Sequence, residues 1–412
     1  MNIIFLTISN INSIKERGIY ADLMRKFRNQ GHNVYIVSPA ERRTGIRTHV
    51  IDVDGVRILK VKTLNIQKTN VIEKGVGTLL VESQFKNAIK KHFGGIKFDL
   101  ITYSTPPITF TNVVKYLKKH NPDAISYLQL KDIFPQNAVD IGMFSKGSLF
   151  YKFFRKKEIE LYKSSDFIGC MSPANVKYVL EHNNFISADR VEVAPNSIEL
   201  KESSSMTIAE KEAIRLKYDL PTDKILFIYG GNLGKPQGID FLIKCLDDNK
   251  YRKDCYFVIV GNGTEYNKLE TWIEGVKSQI KAGDSINVKL IQKLPKEDYD
   301  QLVRSCDVGL IFLDYRFTIP NYPSRLLSYL ENRMPVLCAT DSNTDIGHIA
   351  ELNGYGYSCE SRNVDDFTAI LNKMVSKPDV IRKMGDNGFD FLKNNYLVDH
   401  TYNSIIKHIQ HV

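Results

Sequence analysis

Short apolar runs alternate with longer amphipathic stretches along this chain, and that alternation restricts its fold more than any other feature. Runs near 2–8, 33–38, 57–61, 98–103, 124–130, 166–171 and 190–194 have the length of strands. Helical patterns lie between them, such as GIYADLMRKFRNQ (18–30) and residues 78–92. Gly31 follows the first, as a glycine just past a helix end does. Alternating β and α elements predict an α/β fold with a mostly parallel sheet covered on both faces. The series pauses at LKESSSMTIAEKEAIRLKYDLPT (200–222), which is polar with a helical centre. It resumes with KILFIYG (224–230), CYFVIVG (255–261), NVKLIQ (287–292), VGLIFL (308–313) and PVLCAT (335–340). The expected organisation is two Rossmann-like domains, 1–205 and 206–385, with a final helical stretch, 386–412, packing back toward the first. A ligand is expected at the carboxyl ends of the strands, in a cleft between the domains.

Composition narrows the function classes. At 412 residues, 43% hydrophobic and 25% charged, the chain reads as a globular protein of two domains. The opening MNIIFL is soon broken by Ser9 and Asn10 and has no basic residues before it, so it reads as a first strand and not a signal peptide. No run approaches the roughly 18 apolar residues of a membrane span. Six cysteines occur without a CxxC pair, as expected of reduced thiols buried in a cytosolic protein. No HExxH or ligand-spaced cluster suggests zinc. The net charge of +9 points to an anionic partner. Without a zinc finger, RNP motif or basic zipper region, that partner is not expected to be nucleic acid. Phosphorylated small molecules and an anionic membrane surface remain.

Three turns carry the candidate chemistry. FIYGGNLGKPQGID (227–240) reads as a strand, a glycine-rich turn and a helix start. A helix N-terminus offers unpaired N–H groups and partial positive charge, Gly231 lets the backbone approach a phosphate, and Lys235 adds a cation. Neither a Walker A loop nor GxGxxG fits. A tight turn that needs glycine for backbone reasons alone is the alternative. VGNGTE (260–265), with Gly261 and Asn262, forms a second turn. IPNYPSRLLSYL (319–330) is the third, with Tyr322 ahead of a helix start at Pro323 and Ser324. Arg325 in a first helical turn opposes the helix dipole unless an anion sits there. In the N-terminal half, Gly18 opens a helix just beyond the first strand and could meet the same anion.

In order along nearly the whole chain, these residues resemble the retaining GT-B-fold glycosyltransferases of family 4, in the bacterial branch that builds capsule and O-antigen repeat units. GHNV (31–34) is similar to that family's GHEV, KDIFPQNAVDIG (131–142) to its RDLWPE motif, and VAPNSIE (193–199) to PNGVD. PSRLLSYLENRMPVL (323–337) resembles PSKLLEYLAAGKPVI. The resemblance implies a nucleotide-sugar donor, usually a UDP-sugar, in the C-terminal domain and an acceptor on the N-terminal one. It implies no metal held by a DxD motif, and Asp52-Val-Asp54 reads as a loop. By resemblance, Lys235 with Asn232 or Gln237 faces the diphosphate, and the backbone of Ser324 and Arg325 holds its distal phosphate. The turn Gln292–Lys293–Leu294 holds the base. The family normally places an Arg and a Lys near the first turn, where this chain keeps only Lys235. Two family glutamates, eight positions apart, are here Pro320 and Ser328. Ser328 can still bond a ribose hydroxyl, without charge and with shorter reach.

Glycosyl transfer needs cations and N–H groups on the leaving phosphate, and an oriented acceptor. Lys235 and Arg325 suit the first task. Asp132 follows ISYLQL at a strand's carboxyl end and is the candidate for catalysis or acceptor orientation, with Lys131 beside it for an acceptor phosphate. An Asp that caps the next helix is the alternative. Glu16 and Arg17 form a similar, weaker pair. In MFSKGSLFYKFFRKKEIELYK (143–163), Phe150, Tyr151, Phe153 and Phe154 interleave with Lys152, Arg155, Lys156 and Lys157, as on a helix lying in a membrane interface. A core helix with a solvated basic edge would give the same pattern. The expected activity is transfer of an N-acetylated hexosamine or 6-deoxyhexosamine from a UDP-sugar to a polyprenyl-diphosphate-linked acceptor, at the cytoplasmic face of the membrane and without a metal or other cofactor. A UDP-sugar 2-epimerase and a pseudo-glycosyltransferase acting as a scaffold are the alternatives.

Overall fold

A computed structural model describes residues 1–67, 69, 71–200, 206–280 and 285–409. The first unit begins with β1 (Asn2–Leu6), α1 (Ile19–Asn29), β2 (Asn33–Glu41), β3 (His49–Val53) and β4 (Val56–Thr63). It continues with α2 (Val71–His92), β5 (Leu100–Ser104), α3 (Thr111–His120), β6 (Ile125–Leu130), α4 (Gln136–Asp140) and α5 (Leu149–Lys163). Then follow β7 (Phe167–Cys170), α6 (Pro173–His182) and β8 (Val191–Val193). These eight strands form one sheet in the order β3-β4-β2-β1-β5-β6-β7-β8. Every pair is parallel except β3 with β4. That exception corrects the sequence reading, which made Asp52-Val-Asp54 a loop. Asp52 lies in β3, and Asp54 with Gly55 forms the hairpin turn, with φ of 56° and 76°. Two positive φ values suit the right-handed strand twist of a two-residue hairpin. The Asp54 carboxylate accepts from the Ser13 hydroxyl and pairs with Lys15.

The second unit contains α7 (Ile208–Lys217), β9 (Ile225–Asn232), α8 (Ile239–Asn249), β10 (Cys255–Asn262), α9 (Tyr266–Gln279), β11 (Val288–Gln292) and α10 (Lys296–Ser305). It ends with β12 (Val308–Phe312), α11 (Arg325–Glu331), β13 (Val336–Thr340), α12 (Ile346–Leu352), β14 (Gly356–Glu360), α13 (Val364–Val375) and α14 (Pro378–Asn395). Its sheet is wholly parallel, in the order β11-β10-β9-β12-β13-β14. The core is aromatic at its centre, with Phe227, Phe257, Phe312 and Phe367 buried among Leu310, Leu337 and Leu371. α7 is fixed by a capping box between Thr207 and Glu210 and by Arg215, whose buried guanidinium reaches Asp307 and the Ser305 carbonyl.

The units divide at Glu199/Leu200 and at Asn395/Tyr396. The expected boundary at 205/206 adjoins residues 201–205, which lie outside the described residues. The other boundary differs from the expected 385/386 because α14 runs through it without a break and stays with the second unit. α15 (Val398–Ile406) belongs to the first unit, where Val398, Ile405 and Ile406 complete the core around Phe5, Met24 and Phe27. Tyr402 meets the Phe27 ring at 5.1 Å, and Ile198 pairs with Leu397. Five of the six cysteines are buried, and none is bonded to another.

Candidate functional site

In the second unit, the candidate residues of three turns meet at the carboxyl ends of adjacent strands. Register places Gly231 opposite Gly261, Asn232 opposite Asn262, and Gly261 opposite Gln292. Lys235 is exposed in the short helical turn that follows β9, and Lys293 is exposed just past β11. Leu294 beside it is partly buried. Gly238, at φ 58°, then starts α8 with no side-chain cap.

Packing accounts for most of these glycines. A Cβ on Gly261 would lie 1.9 Å from the Gly231 carbonyl oxygen, and one on Gly263 would lie 2.2 Å from the Leu233 oxygen. The turns bond directly, Leu233 N–H to Asn262 O at 2.9 Å and Glu265 N–H to Leu233 O at 2.9 Å. Gly230 has no room for a Cβ against the Tyr299 ring. Close packing therefore accounts for these three glycines, against backbone carbonyls at Gly261 and Gly263 and against the Tyr299 ring at Gly230. Asn232 and Gln237 also serve the turn, because Gln237 Oε1 accepts from Asn232 Nδ2 at 2.9 Å and from Gly234 N–H at 3.3 Å.

Gly231 is different. At φ 136° it presents open backbone, and the nearest group to its missing Cβ is Arg325 Nη2, at 3.3 Å. The Arg325 guanidinium lies 4.2 Å above the Tyr229 ring. Tyr229 in turn donates its hydroxyl to Asn232 O at 2.8 Å, so one aromatic side chain braces both the turn and the cation. Arg325 Nη1 is shielded from solvent and has no hydrogen-bond partner among the described residues. This departs from the simple dipole argument: the side chain leaves its own helix and delivers its charge to the end of β9. A buried N–H donor without a partner carries a desolvation cost that an anion would remove.

The rest of the third turn is held from below. Asn321 N–H donates to Thr344 Oγ1 at 3.0 Å, and Thr344 donates to buried Asp341 at 2.8 Å. Burial pushes the Asp341 carboxyl up to about 6. Ser324 is exposed, and Tyr322 and Ser328 are partly buried. The Ser328 carbonyl accepts from Asn332 Nδ2 at 2.7 Å.

In the first unit, Lys131 and Asp132 lie just past β6, where Thr105 Oγ1 accepts both of their N–H groups, at 2.9 and 3.1 Å. Their side chains do not pair with each other. Lys131 Nζ donates to Ala194 O at 3.3 Å, and Asp132 Oδ1 accepts from Asn137 Nδ2 at 2.7 Å. Asp132 is no N-cap, since that position of α4 is Pro135. Burial lowers the Lys131 ammonium to about 7 and raises the Asp132 carboxyl to about 6. Both groups thus sit near the values that proton transfer at neutral pH requires.

Gly18 does not offer the free N–H expected of it. Its N–H donates to Asp22 Oδ1 at 3.1 Å. That buried carboxylate also takes Arg25 Nη2 at 2.7 Å and Glu199 N–H at 3.1 Å. The anion at the start of α1 is therefore the chain's own. Arg17 is likewise committed, to the Glu199 carbonyl at 2.9 Å. One group escaped the sequence reading altogether. Lys60 is buried and donates to Asn10 and Asn12 side chains, Ile11 O and Ser38 Oγ, which pins the segment after β1; burial lowers it to about 8. An alternating strand pattern alone gives no sign of this.

With this geometry in hand, residues 210–391 match the family described as Glycosyl transferases group 1. A curated Escherichia coli (strain K12) protein, named a colanic acid biosynthesis glycosyl transferase, WcaI, is 24% identical over 47% of this chain and 46% of its own. The chain spans about half the length of the curated relatives it matches. Sucrose-phosphate synthase from Thermosynechococcus elongatus superposes with a TM-score of 0.75 at 13% identity, covering 100% of this chain and 98% of that one. Anabaena HepE in complex with UDP-glucose gives 0.68 at 13% identity and covers both chains completely. The chain thus has the GT-B fold of two parallel-sheet domains, and its C-terminal unit matches the group 1 glycosyl transferases.

Proposed function

We propose that this protein is a retaining glycosyltransferase of the family 4 type, which moves a sugar from a UDP-sugar to a lipid-linked glycan acceptor during surface polysaccharide synthesis. The observation that carries the reading is the Arg325 guanidinium, stacked on Tyr229 beside the open backbone of Gly231 with one buried N–H unpartnered. Such a group is complementary to a diphosphate, the leaving group of glycosyl transfer. As the C1–O bond of the donor breaks, charge grows on that diphosphate. Arg325 and exposed Lys235 meet it, in the role a divalent ion plays elsewhere. Asp132 or the leaving phosphate takes the acceptor's proton, and Lys131 binds an acceptor phosphate. The solved HepE complex holds UDP-glucose, and the name of WcaI assigns that protein to colanic acid biosynthesis; both support this choice of donor and process. An N-acetylated hexosamine or 6-deoxyhexosamine is the proposed sugar, on a polyprenyl diphosphate.

We also propose that the protein works at the cytoplasmic face of a membrane through residues 143–163. No helix among the described residues is long and apolar enough to cross one. The first unit carries 30 Lys and Arg against 19 Asp and Glu, while the second carries 26 against 28, so the entire excess of positive charge is on the first. An anionic lipid surface would attract that unit. A scaffold without catalysis is the second reading, favoured by Ser328 and Pro320 where the family has glutamates. Calorimetry with UDP, and GDP as comparator, on wild type and Lys235→Ala decides between them. UDP binding weakened in the variant supports the transferase. No binding of either nucleotide moves the scaffold to the front.

A further inference from the structure

We infer that the first unit docks on an anionic lipid monolayer through two helices, α2 and α5, with the carboxyl ends of its strands turned toward the lipid. The inference rests on the membrane contact proposed above and adds to it a second anchor and an orientation. On α5, Leu149, Phe150 and Phe153 are 82%, 68% and 43% exposed. On α2, Val76, Leu79 and Leu80 are 46%, 47% and 42% exposed. Spacings of three and four residues put each trio on one helix face. No apolar periodicity over 143–163 points to α2, which is why the sequence showed only one anchor.

Topology brings the two faces to the same place. β4 and β6 point the same way, since the pairs β4-β2, β2-β1, β1-β5 and β5-β6 are all parallel. The crossovers from β4 to β5, β5 to β6 and β6 to β7 all run in one direction across the sheet. Right-handed crossovers then place α2, α3 and α5 on one face, and α3 packs against both of the others. α2 and α5 each start from the strands' carboxyl ends. Their exposed apolar residues fall in the first ten residues of α2 and the first five of α5, nearest that end. Exposed Ile46, after β2, and Met143, before α5, lie in loops at the same end. Among the described residues of this unit, eight of eleven exposed large hydrophobics are in these segments, so the bias is not a general feature of its surface.

Charge selects the occupant. Lys146, Lys152 and Lys156 are exposed around the α5 trio, and Lys115 is exposed on α3 between the two anchors. Apolar side chains ringed by lysines, on a unit with an excess of cations, fit acyl chains beneath anionic headgroups. Lys131 and Asp132 follow the carboxyl end of β6, so this orientation brings them near the lipid surface, where a lipid-linked acceptor presents its sugar.

The test is co-sedimentation of the full chain with vesicles of phosphatidylethanolamine and phosphatidylglycerol. Leu79→Ser with Leu80→Ser is compared with Leu149→Ser with Phe150→Ser, and the combined four-site variant is included. These side chains are exposed, so thermal melting and UDP affinity serve as fold controls. Each pair should weaken binding at least tenfold, and the combined variant should not bind at low salt. If the α2 pair binds like wild type while the α5 pair fails, the two-helix footprint is overturned and the single contact stands. If wild type does not bind these vesicles, the membrane reading itself fails and takes this inference with it.

Discussion

Replacing Arg325 by Lys separates charge from shape at the proposed diphosphate site. Lysine keeps the positive charge and approximate length but loses the planar fork that lies 4.2 Å above Tyr229. Two costs follow, and they fall in different assays. The stack on Tyr229 exists without ligand, so its loss appears as stability, about 0.5–2 kcal/mol for a largely desolvated cation–aromatic contact. The unpartnered Nη1 acts only when an anion arrives. One charge-assisted hydrogen bond contributes about 1.5–3 kcal/mol, so UDP should bind roughly 10- to 150-fold more weakly. Arg325→Met removes the charge as well. Its UDP affinity should fall further, while its stability should suffer less than affinity does, because a half-buried charge has gone. Calorimetry measures affinity, and thermal melting measures stability. Arg325→Lys that folds and binds UDP within about twofold of wild type would refute the assignment, since it would show that the fork contributes nothing.

Gly261→Ala should destabilise the second unit by at least about 2 kcal/mol, because the new methyl meets the Gly231 carbonyl at 1.9 Å and both partners are backbone; a melting scan without nucleotide checks this. Arg215→Met should cost about 3 kcal/mol in urea unfolding, as it removes the charged partner that the part-buried Asp307 carboxylate meets at 2.8 Å and leaves it only the Leu226 N–H. The carboxyls of Asp132 and Asp341 are raised from 3.8 to about 6, so the native state holds their protons longer than the unfolded chain does. Their share of stability should therefore fall as pH rises from about 4 to about 6; Asp132→Asn should make that fall shallower, leaving the shares of Asp341 and of Glu158, whose carboxyl burial also raises, in melts taken across this range.

Backbone-level features were legible, and side-chain alliances were not. Apolar runs gave the order of strands in both units because each strand of a parallel sheet is buried on both faces. β3 was missed because HVIDV is an edge strand with no fully buried residue, and Asp52-Val-Asp54 reads as a loop in one dimension. β14 was missed for a related reason: its middle residues are only partly buried, and GYSCE carries no apolar run. At the candidate site, the glycine turns were visible as punctuation, but their reason was not. Nothing local to VGNGTE says that Gly261 lies under the carbonyl of Gly231, thirty positions earlier. Gly18 failed the other way. Its pattern promised a free helix start, and only the fold shows Asp22 folded back onto it with Arg25 and Glu199 attached.

The same separation explains how the turn after β9 can work with so few cations of its own. Relative to the resembled family it has neutral Asn232 and Gln237, and those two amides close on each other at 2.9 Å. Read along the chain, the site looks depleted of charge, and with Ser328 it invites the scaffold reading. In three dimensions a further charge reaches this turn from Arg325, 93 positions downstream and at the position of the Lys in the resembled PSKLLEYL motif, guided onto Gly231 by the ring of Tyr229. A guanidinium fixed on an aromatic face loses less freedom on meeting a phosphate than a flexible lysine in an exposed turn would. If the proposed diphosphate site is right, phosphate binding is tied to the packing of α11 on β12, and changes at that contact should alter nucleotide affinity without touching the nucleotide.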